Sequence, residues 1–389
     1  MLVCEPRAHG LIMAASSSPI LTDEEAILDG WADSIEKISL TLTLVLLPMT
    51  RADTPEVKHV LEDSSEITES RPAPLQALLG GIGIALSVHS LLVLNGSVLG
   101  VSGFVHRSLR GDKAAMASVV GLVLGGIAVG IIGDVDTPEP HTASSLLPMA
   151  LSGSLVGIGT RFANGCTSGH MICGLSRFSL RSFVATATFF ASAVATNYLV
   201  HGNEAPGISG SLDWTLGGNQ GRQFLGAALS LGTLWFAYTC SALKNDIPQS
   251  IFRYLASFLT SLVFALSLRL GNMVAPHKVL AFLALPLSSA FDPTLTFVAG
   301  SALPLAALLY RYARVGQPKL GGKCNIPTST KIDWRLILGS VIFGIGWGIA
   351  GVCPGPALVN FGRSLYAGIG FAEYAVWLLF MGFGGLLVK

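Results

Sequence analysis

The sequence predicts an all-α polytopic membrane protein: nine transmembrane helices plus four short re-entrant helices, in two inverted repeats that form an hourglass. Three observations predict it. Hydrophobic residues make up 51% of the 389 and charged residues 12%, where a soluble domain carries roughly twice that charge. Apolar runs near the ~20 residues needed to cross a bilayer recur along the chain. Gly157-Ile158-Gly159 with Cys166 returns as Gly344-Ile345-Gly346 with Cys353, and Ala163 matches Ala350 at the same offset of 187 residues.

The chain begins with an acidic stretch. Residues 1–71 hold 13 of the 23 acidic groups and 5 basic ones, a composition that solvates itself instead of packing. Residues 1–72 are therefore expected to be a disordered tail, and 73–389 the membrane domain. The tail's apolar run, Ile38 to Leu47, is too short to span. No basic segment followed by a cleavable apolar region is seen at Met1, so no standard signal peptide is expected.

Nine spans follow, at about 74–94, 114–132, 145–161, 180–200, 222–242, 250–270, 293–311, 334–351 and 365–387. Four shorter apolar pieces lie between them, at 96–106, 163–177, 272–287 and 353–363. These are rich in Gly, Pro, Ser or Asn. Irregular backbone at membrane depth is tolerated only where protein or a water-filled path surrounds it, so they read as re-entrant helices.

Short-loop Lys and Arg set the orientation. Arg107, Arg110 and Lys113 precede the second span, Arg177 and Arg181 the fourth, and Lys244 and Arg253 the sixth. Six more, from Arg311 to Arg335, separate the seventh and eighth. The opposite loops carry Asp134, Asp136, Glu139, Glu204 and Asp213. This places the N-terminus outside and the C-terminus in the cytoplasm, with the plasma membrane as the expected location. The short pieces of the first half (about 74–242) then enter from the cytoplasm and those of the second (about 250–387) from outside. The halves are inverted, and two thiols approach the waist from opposite faces, a layout that transporters use for a midplane site.

The densest polar stretch is Gly165-Cys166-Thr167-Ser168-Gly169-His170-Met171-Ile172-Cys173, ending in Arg177. Its counterpart is Cys353-Pro354-Gly355-Pro356, whose prolines stop the eighth span and start a new turn. Glycines such as Gly165 and Gly355 allow close backbone approach, and free N–H groups at short helix starts attract anions. A thiol is a weak, polarizable donor tolerated in an apolar neck. Beyond residue 71 the chain has 19 basic against 10 acidic groups, a surplus that suits an anionic cargo or serves only to set orientation.

Arg161 is the charge nearest the first loop, either facing the cargo or reaching the interface. His170 orients the site or simply bonds a carbonyl. Asn95-Gly96 with Ser102, and Gly271-Asn272, mark the other two breaks and either line a path or cap helices. Cys173 is a second thiol, a redox partner or filler. Cys240 reads as filler, and Cys4 and Cys324 carry no case for function. No CxxC pair, zinc site or disulfide framework is indicated, and no cofactor is expected.

These motifs resemble the YeeE/YedE family of sulfur-compound transporters. The likeness rests on residues 157–170 continuing to Cys173–Arg177, on Asp292-Pro293-Thr294, and on residues 343–358. It covers nearly everything after residue 72, as a fusion of two units. The resemblance implies passage of thiosulfate through a narrow centre by way of cysteines on re-entrant helices, hence Cys166 and Cys353. A third family cysteine, near the first break, has no counterpart in Asn95–Ser102. Cys173 takes its place, or the cargo is another sulfur or selenium species. Expected partners are a small thiosulfate-like anion, the lipid bilayer and a cytosolic sulfurtransferase, with no nucleic acid. An intramembrane thiol redox enzyme or sulfurtransferase is the alternative, for which Cys166, Cys173 and His170 would supply nucleophile, resolving thiol and base.

Overall fold

In the computed structural model, the described residues are 72–132, 146–202, 212–216, 222–229, 232, 249–285, 291–312, 318–321 and 324–388. The expected acidic tail, most of the fifth span with Cys240, and the loop carrying Asp134, Asp136 and Glu139 lie outside them, as do Cys4, Glu204 and Lys244. The architecture is all-α. The first half opens with two long helices and a short one between them: α1 (Pro74–Asn95), α2 (Val101–Ser108) and α3 (Lys113–Ile132). Then come α4 (Leu146–Ala163), a π-helix (Ser168–Gly174) and α5 (Leu180–His201). The second half repeats the pattern as α6 (Gln249–Leu270), α7 (Pro276–Leu283), α8 (Thr294–Tyr312), α9 (Trp334–Ala350), α10 (Pro354–Ala367) and α11 (Phe371–Leu387).

Seven helical stretches among the described residues are long and apolar enough to cross a membrane, the longest joining α9 and α10 through the break at Cys353. The 17-residue α11 begins later than the expected residue 365. Gly368 and Gly370 both adopt left-handed backbone, φ 72° and 76°, and this interrupts the helix that apolarity alone would have continued. Helix starts use side-chain caps: Asp112 accepts from the amides of Ala114 and Ala115, and Asp333 from that of Leu336. Leu147, Phe183, Leu199 and Phe383 point outward, as a lipid-facing surface requires.

Glycines determine which helices meet. A Cβ on Gly159 would lie 2.4 Å from the amide nitrogen of Phe343 and 2.7 Å from the carbonyl of Gly339. At the other end of this crossing, the Ser152 hydroxyl donates to the Gly346 carbonyl at 2.7 Å. As numbers rise along α4 they fall along α9, so the two duplicated helices run antiparallel. Ser152 and Gly159 are the repeat-mates of Gly339 and Gly346, and the two contacts exchange under the 187-residue offset. That reciprocity is the signature of a local two-fold axis. α1 and α6 also run antiparallel, with Gly80 against Gly271 and Asn95 bonded to the Arg253 carbonyl and Ser257. Four further packings pair off likewise, α4 with α11 and α9 with α5, then α3 with α6 and α8 with α1, whereas the close packing of α10 on α3 has only a slight counterpart between the π-helix and α8. The repeats are thus built upside-down on one another.

Candidate functional site

Both duplicated helices stop at a left-handed residue. Asn164, φ 56°, ends α4, and the Gly165 amide turns back to the Thr160 carbonyl at 3.0 Å. The chain then forms the π-helix, whose wider backbone often marks functional positions. Gly351, φ 66°, ends α9. Cys353 is the N-cap of α10, and Pro354 opens that helix where no N–H is needed.

These two breaks meet. Thr167 donates its hydroxyl to Sγ of Cys353 at 3.6 Å. Sγ of Cys166 lies 3.3 Å from the Ser168 hydroxyl, which accepts from the amide of Val101, the first residue of α2, at 3.1 Å. Gly355, in the first turn of α10, backs onto the Val101 side chain, and Gly351 onto the Pro276 carbonyl at the start of α7. The N-terminal ends of α2, α7 and α10 therefore gather around the two breaks that carry Cys166 and Cys353. Each contributes partial positive charge without a mobile cation. Ser102 is buried in the first turn of α2.

Cys173 donates its thiol hydrogen to the Leu99 carbonyl at 3.5 Å. Leu99 lies in the break between α1 and α2, so this thiol reaches the place where the sequence has no cysteine. Cys166, Cys173 and Cys353 are all free and buried. Among described cysteines, Cys324 takes part in a disulfide, a bond the spacing did not suggest.

A cavity of about 70 Å³ opens against Cys353 and Thr167. One water needs 10–15 Å³ by this measure, so the space suits one small solute. Its walls are almost wholly apolar and include Met171, Met273, Phe190, Phe282 and Trp347. Phe190 stands 5.6 Å from Phe282 and 6.5 Å from Trp347, ring centre to ring centre.

Three sequence candidates lie off this junction. His170 engages both ring nitrogens, Nδ1 with the Ser182 hydroxyl and Nε2 with the Ala163 carbonyl, each at 3.2 Å. Gly165 makes room for that ring, since a Cβ there would sit 2.7 Å from Nε2. Asn272 holds a left-handed turn, φ 55°, and accepts from Arg269 at 3.3 Å, while its neighbour Met273 lines the cavity. Arg161 is in the last turn of α4, half-buried and away from the cavity lining.

Sequence reasoning missed Lys278. Its Nζ lies 3.0 Å from Oδ2 of Asp292, with both side chains buried. Asp292 Oδ1 also accepts from the Thr294 amide at 2.8 Å and from the Thr294 hydroxyl. This pair ties the re-entrant α7 to the start of α8. A lysine inside the apolar piece 272–287 was the available signal, because an intramembrane charge needs a partner.

A family model described as sulphur transport matches residues 67–195, and a family of unknown function matches residues 252–380. A "Probable transporter" of Xylella fastidiosa (strain 9a5c) is 47% identical over 121 residues, 31% of this chain and 89% of that protein. A second, from strain Temecula1, is 40% identical over 119 residues, 30% of this chain and 78% of its own. The "Thiosulfate transporter TsuA" of Spirochaeta thermophila is 29% identical over 119 residues, covering 29% of this chain and 36% of that one. No solved structure matches.

Proposed function

Because this chain belongs to the sulphur transport family and is a multi-pass transporter of sulfur compounds, we propose that its cargo is thiosulfate, passed along a path of three thiols. A dianion crossing a bilayer loses hydration worth many kcal/mol, which fixed dipoles must replace. The ends of α2, α7 and α10 supply such dipoles, and the thiols supply S–H donors to the anion's terminal sulfur. Each S–H contact is worth about 1 kcal/mol or less. Weak, serial contacts suit conduction, since a tight site would hold the ion.

The observation that carries this reading is the Thr167–Cys353 contact, which places a thiol of one repeat against the residue following Cys166 of the other. The cargo would reach Cys353 from the cavity, pass to Cys166 and leave by Cys173 at the first break. The Lys and Arg distribution supports an N-terminus outside, a C-terminus in the cytoplasm and a plasma-membrane location, with a cytosolic sulfurtransferase taking up the delivered sulfur.

The test is labelled-thiosulfate flux into proteoliposomes containing only this chain. Wild-type protein should carry the anion. Cys166→Ser and Cys353→Ser should each reduce flux about two- to fivefold, the scale set by ~1 kcal/mol or less per contact. Full flux in the double variant would reject the thiol path.

A further inference from the structure

The two-fold relation between α4 and α9 has unlike residues at one key pair. Trp347, which lines the cavity beside Cys353, has Thr160 as its repeat-mate. The antiparallel register sets Trp347 near residue 151 of α4. Thr160 is nine positions further along, about 13 Å at 1.5 Å per residue. The two therefore stand on opposite sides of the crossing. Where the cavity side is aromatic, the Thr160 side is polar: its hydroxyl lies 3.2 Å from Nε2 of His106 on α2. The His106 ring occupies space that only a glycine leaves open, since a Cβ on Gly385 would lie 2.0 Å from Cε1 and 2.5 Å from Nδ1.

Two guanidiniums accompany this pair. Arg161 follows Thr160 in the last turn of α4, and Arg110 lies in the exposed turn just past the end of α2, four residues after His106. Both lie on the Thr160 side of the crossing, at the ends of the two helices that the His106–Thr160 contact joins. Among the described residues neither has an ion-pair partner, and the nearby Asp112 is taken by Arg107 at 3.4 Å. Two accessible guanidiniums beside a His–Thr pair, with no acid among the described residues bonded to them, leave their donors open to an anion from the solvent side.

The geometry points to a second oxyanion station here, formed by Arg110, Arg161 and the His106–Thr160 pair, where a tetrahedral dianion rests after passing Cys166. This inference rests on the sulfur-oxyanion reading above. It assigns recognition of oxygen atoms to the arginine side, because a guanidinium fork pairs with two oxygens at once, whereas the thiols meet sulfur. A lipid headgroup phosphate shares that chemistry.

Flux of thiosulfate is measured from each side of oriented proteoliposomes made of phosphatidylcholine alone, or with phosphatidylglycerol added. Arg110→Gln and Arg161→Gln should each raise the half-saturating concentration on the arginine side about 10-fold, the loss of one charge-assisted bond. On the cavity side the change should stay within about twofold, the size of an unpaired long-range effect. Arg161→Lys, which keeps the charge without the fork, should recover only part of the loss, and Gly385→Ala, which displaces His106 without altering charge, should shift the same side. Half-saturation unchanged on both sides overturns the station. So does an effect seen only with phosphatidylglycerol, which assigns the arginines to headgroups. If wild-type protein carries no thiosulfate, the cargo reading fails. The station is then decided by sulfate, which should raise the melting temperature of the wild-type chain and not that of the Arg110→Gln/Arg161→Gln double variant.

Discussion

Thr167 and Cys353, 186 residues apart in the chain, are joined by an O–H···S contact of 3.6 Å. One residue belongs to the π-helix loop of the first half and the other caps α10 of the second. Thr167→Val removes the donor and keeps the shape. An O–H···S bond contributes on the order of 1 kcal/mol, so flux should fall two- to fivefold with the melting temperature little changed. Transport assayed beside thermal unfolding checks this.

Cys353 borders the cavity while Cys166 and Cys173 do not. Thiol reactivity follows access. A small maleimide added to the purified chain should therefore label Cys353 first, and peptide mass spectrometry over time should show Cys173 last. Prior thiosulfate at saturating concentration should slow the labelling of Cys353.

The buried Lys278–Asp292 pair makes an unequal prediction for its two kinds of variant. Removing one partner strands a charge, which typically costs about 3–5 kcal/mol. Lys278→Met and Asp292→Leu should each lower the melting temperature of detergent-purified protein sharply. The double variant should recover much of that loss, although Thr294 then loses its cap. Fluorescence-detected size exclusion after heating separates these cases.

Glycine substitutions should divide by the backbone they meet. Gly159→Ala would push against the Phe343 amide and the Gly339 carbonyl, and Gly339→Ala would approach the Ala163 amide at 2.4 Å. Neither neighbour can rotate away, so each should destabilise by about 1–3 kcal/mol. Gly169 has nothing within 4 Å of such a methyl group, and Gly169→Ala should leave the melting temperature close to that of the wild type.

Much of the architecture was readable because lipid imposes length and apolarity on each span. α1, α3, α4 and α5 lie within two residues of their expected bounds, and the breaks at Asn164 and Gly351 sit where Gly-rich sequence placed them. What sequence could not show was contact between distant segments. Lys278 and Asp292 are 14 residues apart, and only folding brings them together. The sequence reads His170 as orienting the site or bonding a carbonyl; its Nε2 meets the Ala163 carbonyl, while the Ser182 hydroxyl on its other nitrogen is a partner that no local pattern marks. The position of Cys173 was hidden for the same reason, since its proximity to Leu99 spans 74 residues.

The axis through the α4–α9 crossing carries one last implication. A crossing that maps onto itself when turned over has no intrinsic sense of travel. Whatever rectification this protein achieves must come from what breaks the equivalence, the π-helix standing where the other half has α10 and unlike side chains, of which Trp347 opposite Thr160 is the plainest. Swapping such unlike partners, with the thiols left in place, is where a reversal of preferred direction should be sought.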